Sequence, residues 1–167
     1  MKHNYSITCE NIIISPMNEM ESELYRRLRN RDDNRKEFFD QNIIEKEQQK
    51  KWFDKYLKRS DQIMFSVYLK DSKEFIGGLG VYDINMDKKI AEVGRIIIDK
   101  ERCKGKGYGA EALKGTSRMA RNMGLKHLYA YIYSGNQASI KTFQKAGYCI
   151  SKKDSSEEVV KVLYEFK

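Results

Sequence analysis

The chain is poor in residues that several kinds of chemistry require. Its 167 residues include one proline (Pro16), one tryptophan (Trp52), two histidines (His3 and His127) and three cysteines (Cys9, Cys103 and Cys149). An odd, widely spaced cysteine set with no CxxC supports neither a disulfide framework nor a zinc site, and no metal is expected. Two histidines supply a Cys/His or Ser/His catalytic pair poorly, and His3 falls in a terminus expected to fray. No apolar run approaches the roughly 18 residues that cross a bilayer. The opening "MKHNYSITCENIIISP" lacks the apolar core of a signal peptide, so a cytoplasmic protein with no membrane partner is expected. With a single proline, no Ser/Gly-rich linker and no solenoid repeat, residues 1–167 are expected to form one domain.

What the chain has in quantity is charge. Charged residues make up 34% and hydrophobic residues 40%, the balance of a globular, highly charged domain. Lysine and arginine outnumber aspartate and glutamate by 32 to 24, for a net charge of +8. That excess concentrates anions over the surface, which favours nucleic acid, an anionic membrane or a phosphorylated cofactor alike. The basic residues are spread through helical and extended segments, and no zinc-finger or RRM signature occurs, so nucleic acid is not the expected partner.

Periodicity orders the elements. "SITCENIIIS" is short and β-branched, predicting a first strand that Pro16 ends. "EMESELYRRLRN" and "EKEQQKKWFDKYLKR" carry apolar residues at helical spacing, with "EFFDQNII" as an apolar patch in their connection. "IMFSVYLK" and "KEFIGGLGVYDI" read as a hairpin turned at "DSK", and "KKIAEVGRIIID" extends it to a meander. "YGAEALKGTSRMARNMG" predicts a helix closed by Gly124. "LKHLYAYIY" predicts a strand, "NQASIKTFQKAG" a shorter helix, and "YCISKK" with "EVVKVLYEF" a closing antiparallel pair. The expected class is α/β (α+β): a mixed, mostly antiparallel twisted sheet of about seven strands flanked by about four helices.

One junction stands out. "KGKGYGAEAL", from Lys104, places three glycines in five positions between the most apolar strand and a helix. A helix N-terminus offers unpaired N–H groups and partial positive charge, and glycines there let an anion approach the backbone without a Cβ in the way. A phosphate cradle is the economical reading; a solvated flexible loop is the plain alternative. No Gly-Lys-Ser/Thr occurs, so this is not a P-loop. Residues 105–110 satisfy G-x-G-x-x-G/A, but the next strand offers no acid for a ribose, and too little chain remains to finish a dinucleotide fold.

"EVGRIIIDKERCKGKGYGAEAL" followed by "LYAYIYSGNQASIKTFQKAGY" resembles the acetyl-CoA-binding half of the GNAT N-acetyltransferases. Their signature, [Q/R]-x-x-G-x-[G/A], falls on Lys104, Gly107 and Gly109, and their second element on Asn136 through Tyr148. The texture is nearest the RimJ/RimL-like branch. "LRNRDDNRKEFFDQNIIEKEQQKKWFDKYL" resembles bacterial enzymes of that branch that acetylate nucleotide-linked amino-sugars. The resemblance implies an acyltransferase using acetyl-CoA, with coenzyme A as product and a small-molecule amine as acceptor, acting as a monomer or homodimer. The best-matching acceptor is the amine of a nucleotide-linked amino-sugar. A polyamine, a protein N-terminus of the ribosomal-protein kind, and a non-catalytic acetyl-CoA sensor remain alternatives.

By this resemblance the pyrophosphate rests on the amides of Gly105, Lys106, Gly107, Tyr108, Gly109 and Ala110, beside the Lys104 and Lys106 side chains. Main-chain groups of Ile96 and Ile98 pair with the pantetheine arm, Gly94 marks a bulge or splay that admits it, and Asn136 and Ser139 contact it. An amine with a pKa near about 10 must lose a proton before attack, and Glu92 is the candidate base. An amide of Ile96 or Ile97 is the candidate oxyanion donor. Where many relatives carry a tyrosine acid this chain has Phe143, so either Tyr131 or Tyr133 substitutes or the thiolate leaves unaided. Lys104 replaces the usual Gln or Arg, and a proline common before the loop is missing. Phe38, Phe39, Asp40 and Trp52 are candidates for the acceptor wall, with domain sealing as the alternative for the two phenylalanines.

Overall fold

The computed structural model describes residues 3–166; Met1, Lys2 and Lys167, which the single-domain expectation includes, lie outside them. The strands are β1 (Ile7–Thr8), β2 (Ile12–Pro16), β3 (Ile63–Leu69), β4 (Phe75–Asn85), β5 (Ile90–Ile98), β6 (His127–Tyr133), β7 (Cys149–Ile150) and β8 (Val159–Glu165). The helices are α1 (Glu19–Asn30), α2 (Asp32–Arg35), α3 (Lys46–Lys58), α4 (Lys100–Cys103), α5 (Tyr108–Asn122) and α6 (Gln137–Lys145). All eight strands form one sheet in the order β1-β2-β3-β4-β5-β6-β8-β7. Every neighbouring pair is antiparallel except β5 and β6. This is the mixed, mostly antiparallel sheet read from the sequence, with one more strand and two more helices.

The additions are short. The β-branched opening breaks at Glu10–Asn11 into a hairpin, closed by the Cys9 amide on the Ile12 carbonyl at 2.8 Å. Helices α2 and α4 are single turns. His3 is not frayed: its Nε2 lies 3.1 Å from the Met64 carbonyl and its ring meets Phe65 edge-on at 4.9 Å.

Alternation along β3 sends side chains to opposite faces of the sheet. Ile63, Phe65 and Val67 join the larger core with Ala112 and Leu113 of α5 and Ile140 and Phe143 of α6. Met64 joins a smaller core with Tyr25 of α1 and Phe53 and Tyr56 of α3. Local signals set the helix starts. Asn18 and Glu21 form a reciprocal capping box on α1 (3.0 and 2.8 Å), and Asn136 Oδ1 accepts from the Ser139 amide of α6 at 2.9 Å. Gly124, at φ +91°, ends α5.

Candidate active site

The parallel pair is what makes the site. β5 and β6 pair at only three positions, Ile90–His127, Ala91–Leu128 and Glu92–Tyr129, and then part company. Beyond Glu92 the two strands leave backbone edges facing a gap. On its other side β5 is irregular: Gly80 pairs with Gly94 and Gly78 with Ile97, so Leu79 faces two residues, Arg95 and Ile96. Arg95 takes a left-handed conformation, φ +53°, the mark of a bulge. The irregularity thus falls one residue beyond Gly94, the position the sequence suggested. The Tyr25 hydroxyl of α1 donates to the Arg95 carbonyl at 2.5 Å and pins the bulge.

A cleft of about 1340 Å³ occupies the gap. It is bordered by every residue singled out from the sequence for cofactor, catalysis or acceptor except Lys106, which is exposed. At its far end Gly105 (φ +76°) and Gly107 (φ +80°) carry the chain into α5. A Cβ at either would meet nothing within 4 Å, so the space above the loop is open. Among the described residues, the amides of Tyr108, Gly109 and Ala110 bond no backbone carbonyl, whereas Lys106 donates to Cys103 and Glu111 to Gly107. Three free amides at a fifteen-residue helix N-terminus fit a phosphate.

Asp99 fixes this loop. It is 4% exposed, and its carboxylate accepts from Arg102 Nε at 2.7 Å, Arg31 Nη1 at 3.1 Å and the Glu101 amide at 3.1 Å. Burial alone would raise its pKa; the Arg102 hydrogen bond, the Glu101 amide and the two guanidinium charges outweigh that and hold it below the ordinary value.

Near the point where the strands part, Glu92 is half-buried and accepts from the Tyr82 hydroxyl at 2.9 Å. Burial raises the Glu92 pKa, the Tyr82 hydrogen bond opposes this, Asp83 adds to it and Arg95 subtracts. The net direction is up, which makes Glu92 a stronger base than an ordinary carboxylate. Tyr82 itself is pushed up by burial and by the Glu92 charge, so it stays a hydroxyl donor.

At the near end the connection between α2 and α3 crosses the cleft. Phe39 packs on Tyr133 of β6 at 4.4 Å between ring centroids, and Trp52 stacks on Tyr56 at 5.6 Å. The Asp40 carboxylate is taken by Asn42, through its amide at 2.9 Å and its side chain at 2.8 Å. Tyr131 is half-exposed, with its ring against Tyr129. Phe143 borders the cleft but is buried in the core and carries no proton to give. Asn136 spends its Oδ1 on the helix cap. Sequence reasoning missed Tyr25, Arg29, Tyr82 and Arg95, all of which border the cleft. Among the described residues no cluster of metal-ligating side chains occurs, and no helix is long and apolar enough to cross a membrane.

The family description "Acetyltransferase (GNAT) domain" fits residues 11–148, most of the chain. The chain belongs to the GNAT acetyltransferase family. Membership brings acyl transfer as the reaction and acetyl-CoA, released as coenzyme A, as the donor. Two solved structures share the GNAT fold. A spermidine N-acetyltransferase from Vibrio cholerae, in complex with CoA and spermine, superposes with a TM-score of 0.83 at 16% identity, over 93% of this chain and 95% of that one. FdhC, a nucleotide-linked sugar GNAT, superposes with a TM-score of 0.81 at 17% identity, over 98% and 91%. YwnH of Bacillus subtilis (strain 168), which carries a phosphinothricin acetyltransferase name, is 45% identical over 60 residues. That stretch is 36% of this chain and 36% of that protein.

Proposed function

We propose that this GNAT domain transfers the acetyl group of acetyl-CoA to the primary amine of a nucleotide-linked amino-sugar. The observation that carries the reading is the gap between β5 and β6, with a glycine-loop helix start at one end and Glu92 at the point of parting. Acetyl-CoA supplies the activated acetyl group as a thioester. The amides of Gly105, Gly107, Tyr108, Gly109 and Ala110 hold its pyrophosphate, with Lys104 beside them; the Lys106 amide is spent on Cys103 and its side chain adds charge from outside the cleft. Main-chain groups of Ile96 and Ile98 on the open edge of β5 hold the pantetheine arm, with Asn136 Nδ2 and Ser139 across the gap.

Glu92 removes the ammonium proton. Its raised pKa makes it a stronger base than an ordinary carboxylate, and it passes the proton to solvent. The amide of Ile96 or Ile97, beside the bulge, donates to the negative charge that develops on the thioester oxygen. Tyr131 or Tyr133 protonates the departing thiolate; a thiol pKa near about 8.5 also lets it leave unaided. Trp52, Phe38 and Phe39 form the apolar wall for a sugar ring or base.

The acceptor reading is supported by that wall and by the net charge of +8, which suits a phosphorylated acceptor. Thiol release from acetyl-CoA, followed against 4-amino-sugar nucleotides, spermidine and short peptides, tests it. Turnover is expected with the sugar nucleotides; turnover confined to spermidine or peptides would replace the acceptor and leave the acetyl-transfer chemistry standing.

A further inference from the structure

Three arginines border the cleft, and two of them are not neutralised. Arg31 is shared among Asp33, Asp99 and Glu101. Among the described residues Arg29 and Arg95 form no ion pair. Arg29, in α1, is 5% exposed. Its guanidinium lies 3.9 Å over the Phe38 ring, its Nη2 donates to the Asp40 carbonyl, and its Nη1 is buried without a partner. Burial lowers its pKa. A buried guanidinium one acceptor short is a costly arrangement unless something completes it.

Arg95, at the bulge, stacks 4.2 Å from the centroid of the Tyr82 ring and reaches Gln62 Oε1 at only 3.4 Å. Tyr25 joins the two: its hydroxyl donates to the Arg95 carbonyl, and both guanidinium charges act on it. The Tyr82 hydroxyl also bonds Glu92, so one residue joins the cationic seat to the base, with Arg95 over its ring and Glu92 at its hydroxyl. Of the nearby carboxylates Asp33 pairs with Arg31, while Asp40 and Glu92 accept from the neutral Asn42 and Tyr82 and keep their charge; among the described residues Glu37 has no side-chain partner.

We propose that Arg29 and Arg95 hold an anionic group of the acceptor, a phosphate or a carboxylate, carried on the same molecule as the reacting amine. The proposal rests on the acetyl-transfer reading of the cleft and narrows its acceptor to amines that bring their own negative charge. Arg95 meets the anion at the cleft surface. Arg29 receives it when the irregular connection carrying Phe38 and Asp40 shifts off Nη1.

Trp52 is the sole tryptophan and borders the cleft, so its fluorescence reports occupancy. The protein is saturated with coenzyme A, then titrated with uridine diphosphate, inorganic phosphate, L-glutamate and spermidine, as wild type, Arg95→Gln and Arg29→Lys. A saturable response to at least one anion is expected, with its Kd about 10- to 100-fold weaker in Arg95→Gln, the worth of a charged hydrogen bond. Uridine diphosphate against glutamate separates phosphate from carboxylate. Arg95 is partly exposed, so its variant carries the test if Arg29→Lys fails to fold. No saturable response to any anion, or equal Kd values in wild type and Arg95→Gln, overturns the seat. An anion response without turnover of any sugar nucleotide leaves the seat standing and removes the sugar acceptor. Turnover of sugar nucleotides at rates indifferent to both arginines does the reverse.

Discussion

Gly94 is small because Tyr82 lies across it. A Cβ there would fall 2.7 Å from the Tyr82 hydroxyl, which uses that space to reach Glu92. The pair therefore depends on three residues, and its titration depends on the hydrogen bond. Glu92 must be ionised to act, so kcat/KM should rise with pH through a pKa above the ordinary carboxylate value. Glu92→Gln should lower kcat by about 10²- to 10⁴-fold and flatten that limb. Tyr82→Phe removes a bond that favours the carboxylate, so its limb should move to higher pH while activity at the plateau survives; Gly94→Ala should shift it the same way. A pH–rate series on the four proteins checks this, and a limb that does not move in Tyr82→Phe takes Glu92 out of the titration. Glu92 was legible in the sequence through the resemblance of its strand. Tyr82 was not, because it meets Glu92 across a hairpin whose register shifts on both sides of the pair. Arg95 gave no signal either, since a left-handed arginine inside a β-rich run looks like any strand residue.

At the level of elements, the glycine loop is held by a one-turn helix. Asp99 caps α4 and draws Arg31, at the start of α2, and Arg102 onto one buried carboxylate, so the acceptor side and the phosphate side share an anchor. Asp99→Asn leaves two guanidinium groups facing a neutral amide, which should cost about 1–3 kcal/mol and raise the KM for acetyl-CoA. The sign of the pH dependence follows from the lowered pKa. The ionic contribution is present above the ordinary aspartate pKa and is lost as pH falls through the folded-state value, so the stability gap between wild type and Asp99→Asn should narrow on acidification. Urea unfolding of both proteins at neutral and acid pH measures it. The elements that the sequence made plain, α1, α3, α5 and α6, are long enough for an apolar stripe to repeat. Helices α2 and α4 and strand β1 span four residues or fewer, which is too short for any period to show. Helices α2 and α4 nevertheless position the site, because a loop is fixed by caps and ion pairs whose partners are distant in sequence.

For the whole molecule, the parting of β5 from β6 means that the sheet is incomplete in the middle rather than at an edge. Four strands lie on the far side of β5 and two on the far side of β6, joined at this point by three residue pairs. The core beneath is continuous through Ala91, Val93, Leu128 and Ala130, so the halves are held by packing where backbone pairing stops. A ligand that lies in the gap with its own hydrogen-bonding groups completes the sheet and binds only the folded chain. Coenzyme A at about 100 times its Kd should therefore add about 2.7 kcal/mol of stability, or about 5–10 °C in Tm for a domain of this size. Part of that binding is the attraction between phosphates and a chain of net charge +8, so the shift should shrink as salt rises, while burial of the arm in the gap is insensitive to it. Thermal scans with coenzyme A, and with pantetheine, which has the arm without the phosphates, separate the two contributions at low and high salt. The gap predicts a residual, salt-independent shift with both ligands. A shift with coenzyme A alone, abolished by salt, would place all of the binding on the glycine loop and none in the opening of the sheet.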